Sequence, residues 1–522
     1  MKDTSVRIDD TNRALKYVLY DGVLTQAMVN LSGGVFIVSF ALLFGASNLA
    51  IGLLAAGPFL ANIFQIPAVL LIQKTRKRRS IAVAASLISR LWLLVYALIP
   101  LVFARHALSL LTIGIFVAAA TAAFATCSWN SWMVDLVPDN TRGRFFSNRM
   151  TLSLAVVIPL SVIAGRFIDY YGSWFPEHGV FGYSVLFLVA FVLGVGGTVL
   201  LHLTPEPAMR KQTRSTSPLQ ALGAPFRDVN FRRLLNFTTI WAISFNFAVP
   251  FFVVYMFKRL ALSLTTVIVF SVMSQLFYLL FLRVWGSLTD KYSNKSVMQL
   301  SGTILLVCMI VWPFTTLPGV YFLTIPLLSL VHIFSGVALA GVFIASFNIA
   351  YKLCPSGDAT AYLAVNGTLV SMGMGVGPIL GGLLADTLES MELSLTFRWL
   401  ASKTEWSAYL LNFRGLDFLF FIAFVLGIFA LNRLSAVHEE GEVPKKIIYQ
   451  AFMQQTRRTM RSISSLGGVA YLGAVPFSFL LRTRSRNRTG ASAYPSRRSS
   501  LDPGATLNKK TDSTKKHNQG PL

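Results

Sequence analysis

VIPLSVIAGRFID, from Val157 to Asp169, and GVGPILGGLLAD, from Gly375 to Asp386, occupy corresponding places in two copies of one pattern. Sliding the 522-residue chain on itself by about 217 positions sets Gly165 on Gly382 and Asp169 on Asp386; the same slide sets Pro138 on Pro355 and Phe145 on Tyr362. At an offset of 216, QKTRKRRSI from Gln73 falls on TDKYSNKSV from Thr289. The chain therefore reads as two related halves.

Around these segments, apolar stretches of roughly 20 residues recur, the length needed to cross about 30 Å of hydrocarbon as a helix. They are placed at 18–44, 49–72, 80–103, 109–137, 150–170, 180–203, 234–257, 265–285, 297–316, 321–350, 361–387 and 415–435. Hydrophobic residues make up 54% and charged residues 13%, too little polar material to cover a water-soluble globule of this length. The runs are continuous and do not alternate, which excludes a transmembrane barrel. The expected fold is an all-α membrane protein with about 12 transmembrane helices in two pseudo-symmetric six-helix bundles. The expected division is a segment 1–17, a bundle 18–203, a linker 204–233, a second bundle 234–437, a membrane-associated segment 438–481 and a basic tail 482–522.

The formal charge of +24 suggests nucleic acid at first sight, but its placement suggests a membrane. With the N-terminus on the cytoplasmic side, the inner segments before the tail hold 21 Lys and Arg and the outer loops 6. Both termini are thus expected in the cytoplasm of a multi-pass protein of the inner or plasma membrane. The N-terminus mixes both charge signs and carries no small-residue cleavage site, so no signal peptide is expected. Only Glu389–Gly415 forms a substantial outer loop, and its FRWLASKTEWSAYLLNF is expected along the outer membrane surface. Residues 438–522 hold 15 Lys and Arg against 5 Asp and Glu. There, KKIIYQAFMQQTRRTMRSISSL from Lys445 reads as an interfacial helix, Gly467–Leu481 as docked on the membrane or the bundle, and the stretch from Arg482 as disordered with anionic lipid as its partner. Cys127, Cys308 and Cys354 have no metal or disulfide spacing and read as small apolar residues.

GSLTDKYSNK, Gly286 to Lys295, resembles the signature that the major facilitator superfamily carries between its helices 8 and 9. VDLVPDNTRGR, Val134 to Arg144, resembles the family's helix 4 to 5 junction, and Gly375–Asp386 its Gly-Pro-rich helix 11. The three together make the resemblance specific over roughly residues 14 to 437; no subfamily follows. It implies a secondary transporter working by alternating access, with a cavity lined mainly by helices 1, 2, 4, 5, 7, 8, 10 and 11. Two departures stand out. LIQKTRKRRS between helices 2 and 3 lacks the family's Gly and Asp, and the helix 5 segment lacks the Gly-Pro-x-x-Gly-Gly form of many antiporters, so it gives proton antiport no support.

The first departure has a counterpart in the repeat. Where the second half has Asp290 the first has Lys74, and where the first has Asp135 the second has Lys352. Two cytoplasmic gate pairs are expected, Lys74 with Asp135 and Asp290 with Lys352, with Arg76, Arg78, Arg142 and Arg144 as competing partners for Asp135. The plain alternative is a set of solvated loop charges.

Polar groups at bilayer depth face a cavity or a partner. Gln26 and Asn30 on helix 1, Asn62 and Gln65 on helix 2, and Trp129, Asn130 and Trp132 on helix 4 are the cavity candidates of the first half. Asn246, Gln275, Tyr278, Asn348 and Asn366 are those of the second. Two indoles beside an amide suit a ring-bearing or amphipathic ligand, and equally an interfacial anchor. Asp21 and His332 are coupling candidates; the alternatives are a cap or a Lys16 pair for Asp21 and a hydrogen-bonded structural role for His332. Arg90 is expected to pair with a polar group of helix 2 or 4, and Arg166 and Asp169 to be structural.

No nucleotide-binding loop, metal cluster or nucleophile motif is present, so neither an enzyme nor a primary pump is expected, and no cofactor. The expected partners are a small-molecule substrate, the lipid bilayer, and a proton or sodium ion; no nucleic acid is expected, and the chain is expected to be a monomer. The competing function is a non-transporting scaffold or sensor acting through the basic tail.

Overall fold

The computed structural model describes residues 8–209, 218–316, 319–355, 359–401 and 404–464; the expectations for 467–481 and 482–522 lie outside them. Twelve helices among these are long and apolar enough to cross a membrane: α1 Arg13–Leu43, α2 Asn48–Thr75, α3 Arg78–Val102, α4 Ala104–Leu136, α5 Arg142–Trp174, α6 Phe181–Leu203, α7 Val229–Lys258, α8 Leu264–Lys291, α9 Asn294–Thr315, α10 Thr324–Lys352, α11 Ala359–Leu388 and α12 Leu416–Leu434. A short helix, Pro218–Arg227, follows the first six, and α13, Lys445–Ser464, follows the last. Within each half the helices pack on one another, and the halves meet through α2 against α11 and α5 against α8.

Several helices outrun the apolar stretches that announced them, because backbone hydrogen bonding does not stop where hydrocarbon stops. α7 starts at Val229, where the Asp228 carboxylate accepts from the amides of Asn230 and Phe231 at 2.9 and 3.0 Å.

The first helix of each half, α1 and α7, breaks in mid-span. α1 is interrupted at Gly33–Gly34, where Gly34 has φ +52°, a conformation that costs a side chain and suits glycine. α7 is interrupted at Phe247–Ala248, and Pro250 starts its next segment. α2 passes through a turn of tighter helix at Ala61–Phe64, after Pro58 has removed one donor from the ladder.

The loop after α11, expected as a segment along the outer membrane surface, has regular structure of its own. It forms an antiparallel hairpin, β1 Glu392–Ala401 and β2 Thr404–Arg414, with Leu393 opposite Phe413 and a bulge after Leu395. Its base is fixed by Arg414 to Glu392, by Asn412 to Glu392 and Arg259, and by Phe413 against Phe314. The face of the bundle bearing this hairpin is called the hairpin face. The opposite one, which carries the Lys- and Arg-rich connections, is the basic face.

On the basic face the two halves repeat one device. Glu206, just after α6, accepts from the Arg78 and Arg79 amides at 2.9 and 3.2 Å; Glu439, just after α12, accepts from those of Asn294 and Lys295 at 3.1 and 2.7 Å. Each carboxylate satisfies the open N–H groups of the third helix of its own half. α13 continues from Glu439 and docks on α8 and α9, with Ile448 buried and the Phe452 ring stacked on Trp285 at 4.4 Å. The helix expected there is present, with one face packed on the bundle.

Candidate functional site

In the second half, α7, α8, α10 and α11 enclose a cavity of about 500 Å³. Its walls are aromatic and aliphatic, led by Phe237, Trp241, Phe245 and Phe343, and its polar groups are the amides of Asn246, Gln275 and Asn366 with the hydroxyls of Thr238, Ser274, Tyr278 and Ser346. No charged side chain lines it among the described residues. Asn246 is oriented by its own helix, donating to the Ala242 carbonyl at 2.9 Å, and Asn366 by its neighbour α7, accepting from Thr238 at 2.9 Å.

A second cavity of about 360 Å³ lies where α1 and α5 meet α8. The break in α1 places Gln26, Asn30, Gly33 and Gly34 on its wall, with Ser161 and Ser271 opposite, and Ser161 donates to Asn30 at 2.8 Å. Gln275 belongs to both cavities and joins the two halves of the site.

Behind the first-half wall runs a charged network. Thr25 donates to Asp21 at 3.1 Å, Arg90 donates to Thr25 at 3.1 Å, and Arg149 lies 3.7 Å from Asp21. Arg149 also donates to the Val18 carbonyl and stacks over Trp129 at 4.8 Å. It reaches Asp21 by passing over Gly22, where any side chain would meet its guanidinium. A buried cation, a half-buried one and a buried carboxylate hold one another here, in keeping with the rule that charges leave water only in company.

The bundles touch at the hairpin face. Asp386 on α11 accepts from the α2 amides of Asn48 and Leu49, Asp169 on α5 accepts from the α8 amides of Leu264 and Thr265, and Asn62 donates to Ser371 at 3.1 Å. Gly52 packs against Pro378 and Gly382 against Asn48, contacts that a methyl group would obstruct. Among the described residues no hydrogen bond joins the bundles nearer the basic face, and the cavity rings Phe343 and Phe347 stay 59% and 57% exposed. The contacts between the bundles thus lie on the hairpin side, and the exposed rings of the cavity wall lie on the basic side.

The family model described as Major Facilitator Superfamily matches residues 22–274 and 235–494. The chain belongs to the major facilitator superfamily. A search of curated protein sequences finds no relative. Among solved structures of the superfamily's architecture, the nucleoside transporter NupG is similar at TM-score 0.56 and 14% identity, covering 86% of this chain and all of that one. An inward-facing, unoccupied bacterial homologue of the human lysosomal transporter Spinster gives 0.54 and 14%, with 94% of this chain and all of that one. An inward-facing bacterial homologue of the iron transporter ferroportin gives 0.57 and 15%, with 83% and all of that one. At these identities the likeness is one of fold.

As a superfamily member the chain is a transmembrane transporter of a small solute, working by alternating access. The structure gathers Gln26, Asn30, Asn246, Gln275, Tyr278 and Asn366 on the two cavities. Asn62 lies instead at the bundle contact, and Gln65 donates to it at 3.1 Å. Trp132 is removed from the cavity set: it is fully buried within the first bundle, where its indole donates to the Pro205 carbonyl at 3.0 Å. Trp129 lies under Arg149, and Asn130 is exposed on α4 and lines neither cavity. Asn348 faces Thr289 of α8, away from the cavity. His332 sits behind the cavity, stacked on Phe270 at 5.1 Å with its Nδ1 2.9 Å from the Ser274 hydroxyl, and Asp21 pairs with Arg149 rather than Lys16.

The expected gate pairs also differ. Arg78, from among the competitors, takes Asp135 at 2.5 Å, because it starts α3 and points into the bundle, whereas Lys74 is exposed at the end of α2. Arg142 instead holds Asp139 and the Val134 and Val137 carbonyls, and Arg144 is exposed. Lys352 pairs with Glu439 at 3.0 Å, which leaves Asp290 exposed at the end of α8. Arg90 finds its partner on α1, where its guanidinium reaches Thr25 past Gly194 of α6, and not on α2 or α4.

Proposed function

We propose that the solute is uncharged, ring-bearing and amphipathic, and that the basic face is cytoplasmic, so that this structure is the inward-facing state. One observation carries the substrate reading: the larger cavity combines aromatic walls with three carboxamides and lacks a charged lining residue. An ionic solute would lose hydration there and gain no counter-charge, whereas a flat ring bearing donors and acceptors on its edge finds stacking surface and partners. Orientation follows from the excess of Lys and Arg on the basic face.

The test is a thermal-stabilisation screen on detergent-purified protein with neutral heteroaromatic compounds, their carboxylated and aminated analogues, and simple sugars, followed by flux in proteoliposomes. The neutral ring compounds are expected to stabilise and to be carried, and Gln275→Leu to lower their uptake about tenfold or more, as for a lost buried hydrogen bond. Stabilisation confined to the charged analogues or the sugars would refute the assignment.

A further inference from the structure

We infer that Asp169 and Asp386 are the gate residues of the transport cycle, each holding the bundles together on the hairpin face by binding the start of a helix in the opposite half.

The geometry is a matched pair. α2 begins with three open N–H groups. Ser47 takes that of Ala50 at 3.2 Å, and Asp386, from the other bundle, takes those of Asn48 and Leu49 at 2.7 and 2.9 Å. α8 begins likewise: Ser263 takes Thr266 at 3.3 Å, and Asp169 takes Leu264 and Thr265 at 3.2 and 2.8 Å. The local serine supplies one bond of each cap, and the opposing bundle supplies the rest with a full negative charge at the positive end of the helix. The aspartates are equivalent in the repeat, so the two locks are related by the symmetry that relates the halves.

Such bonds suit a gate. Both carboxylates are only half-buried, so when the bundles part, water takes over the amides and the carboxylates and no group is stranded. The glycines beside them allow the close approach: Gly382 lies against Asn48 and Leu49, and Gly165 against Thr265 and Ile268. On the basic face the comparable carboxylates, Glu206 and Glu439, serve helices of their own half. Rocking that opens the hairpin face therefore breaks the two aspartate caps and leaves the glutamate caps intact.

The caps exist only while the hairpin face is shut, so weakening them shifts the population toward the state open on that face. The test uses full-length protein in sealed vesicles, with Cys127, Cys308 and Cys354 replaced by serine and a charged, membrane-impermeant methanethiosulfonate as probe. Ser271→Cys reports from the cavity at α8, and Phe347→Cys from the mouth at the basic face. In Asp169→Asn with Asp386→Asn, labelling of the first reporter from the hairpin side is expected to rise about tenfold or more, and labelling of the second from the basic side to fall; single variants lie between. Gly382→Val, which wedges the same contact without touching a charge, is expected to act in the same direction. Unchanged hairpin-side labelling in protein that keeps its thermal transition would overturn the inference, as would a rise from both sides at once, the mark of a merely loosened fold. Labelling requires no solute, so the outcome is independent of the substrate assignment.

Discussion

Arg78 is 1% exposed, and its guanidinium spans Asp135, Glu206 and the carbonyls of Ser131 and Pro207. Removing it leaves two acids and two carbonyls facing one another where α3, α4 and the α6 exit meet. Arg78→Ala is therefore expected to cost about 3–5 kcal/mol, the range for breaking one side of a buried pair, read as a fall in the thermal transition in detergent. Arg78→Lys, which keeps the charge but loses the fork, is expected to recover only part of it. A transition within a degree of the parent in Arg78→Ala would contradict this account. That Asp135 needs a cation was legible from its place at a helix end. Which cation was not, because four arginines lie within reach along the chain and only the rotation of α3 about its axis turns one of them inward. Trp132 shows the same limit: three residues from Trp129 along α4, it faces the bundle interior and Pro205. The pairing of Asp169 with Asp386 was plain in the repeat, but their partners are backbone amides, which leave no mark in a sequence.

At the scale of elements, Glu439 ties α9, α10 and α13 together. Burial acts to raise its carboxyl pKa, but bonds from the Lys295 amide, Asn294, Ser293 and Lys352 outweigh burial and hold it below the usual carboxylate range. A depressed pKa means stability that is complete above the ordinary glutamate value and lost as pH falls through the folded one. Amide exchange at Asn294 and Lys295, corrected for intrinsic rate, is expected to accelerate between about pH 5 and 3, and the pH dependence is expected to vanish in Glu439→Gln. Persistence of that dependence in the variant would assign it to another group. The alternation of Leu393, Leu395, Phe397 and Trp399 with Ser394, Thr396 and Arg398 has the period of a strand, although the segment is expected from the sequence only as one along the outer membrane surface. Its aromatic content points equally to a segment lying on a membrane, and the tie from Arg259 to Asn412 that fixes its base comes from α7, far away in sequence.

For the whole molecule, the number of spans followed from hydropathy, the likeness of the halves from the repeat, and the cavity from the family resemblance. The side on which the cavity opens did not, because one sequence must support both closures with nearly equal free energy. Sidedness is open to direct measurement. Cysteine placed at Glu442, which pairs with Lys295 on the basic face, is expected to react with an impermeant thiol reagent only after cells are opened, and cysteine at Leu400 in the hairpin to react in intact cells. The reverse pattern would invert the assignment of inside and outside.

The hairpin has a practical consequence. Two bundles of equal size related by a near-twofold axis are hard to tell apart in projection, and a protein of 57.5 kDa sunk in a micelle offers few landmarks. Among the described residues, this ribbon is the feature of its face that only one half possesses, and it is pinned at its base by Arg259 and Phe314. An antibody fragment raised against it would give single-particle imaging a pointer to the second half, and would do so without covering the mouth of the cavity.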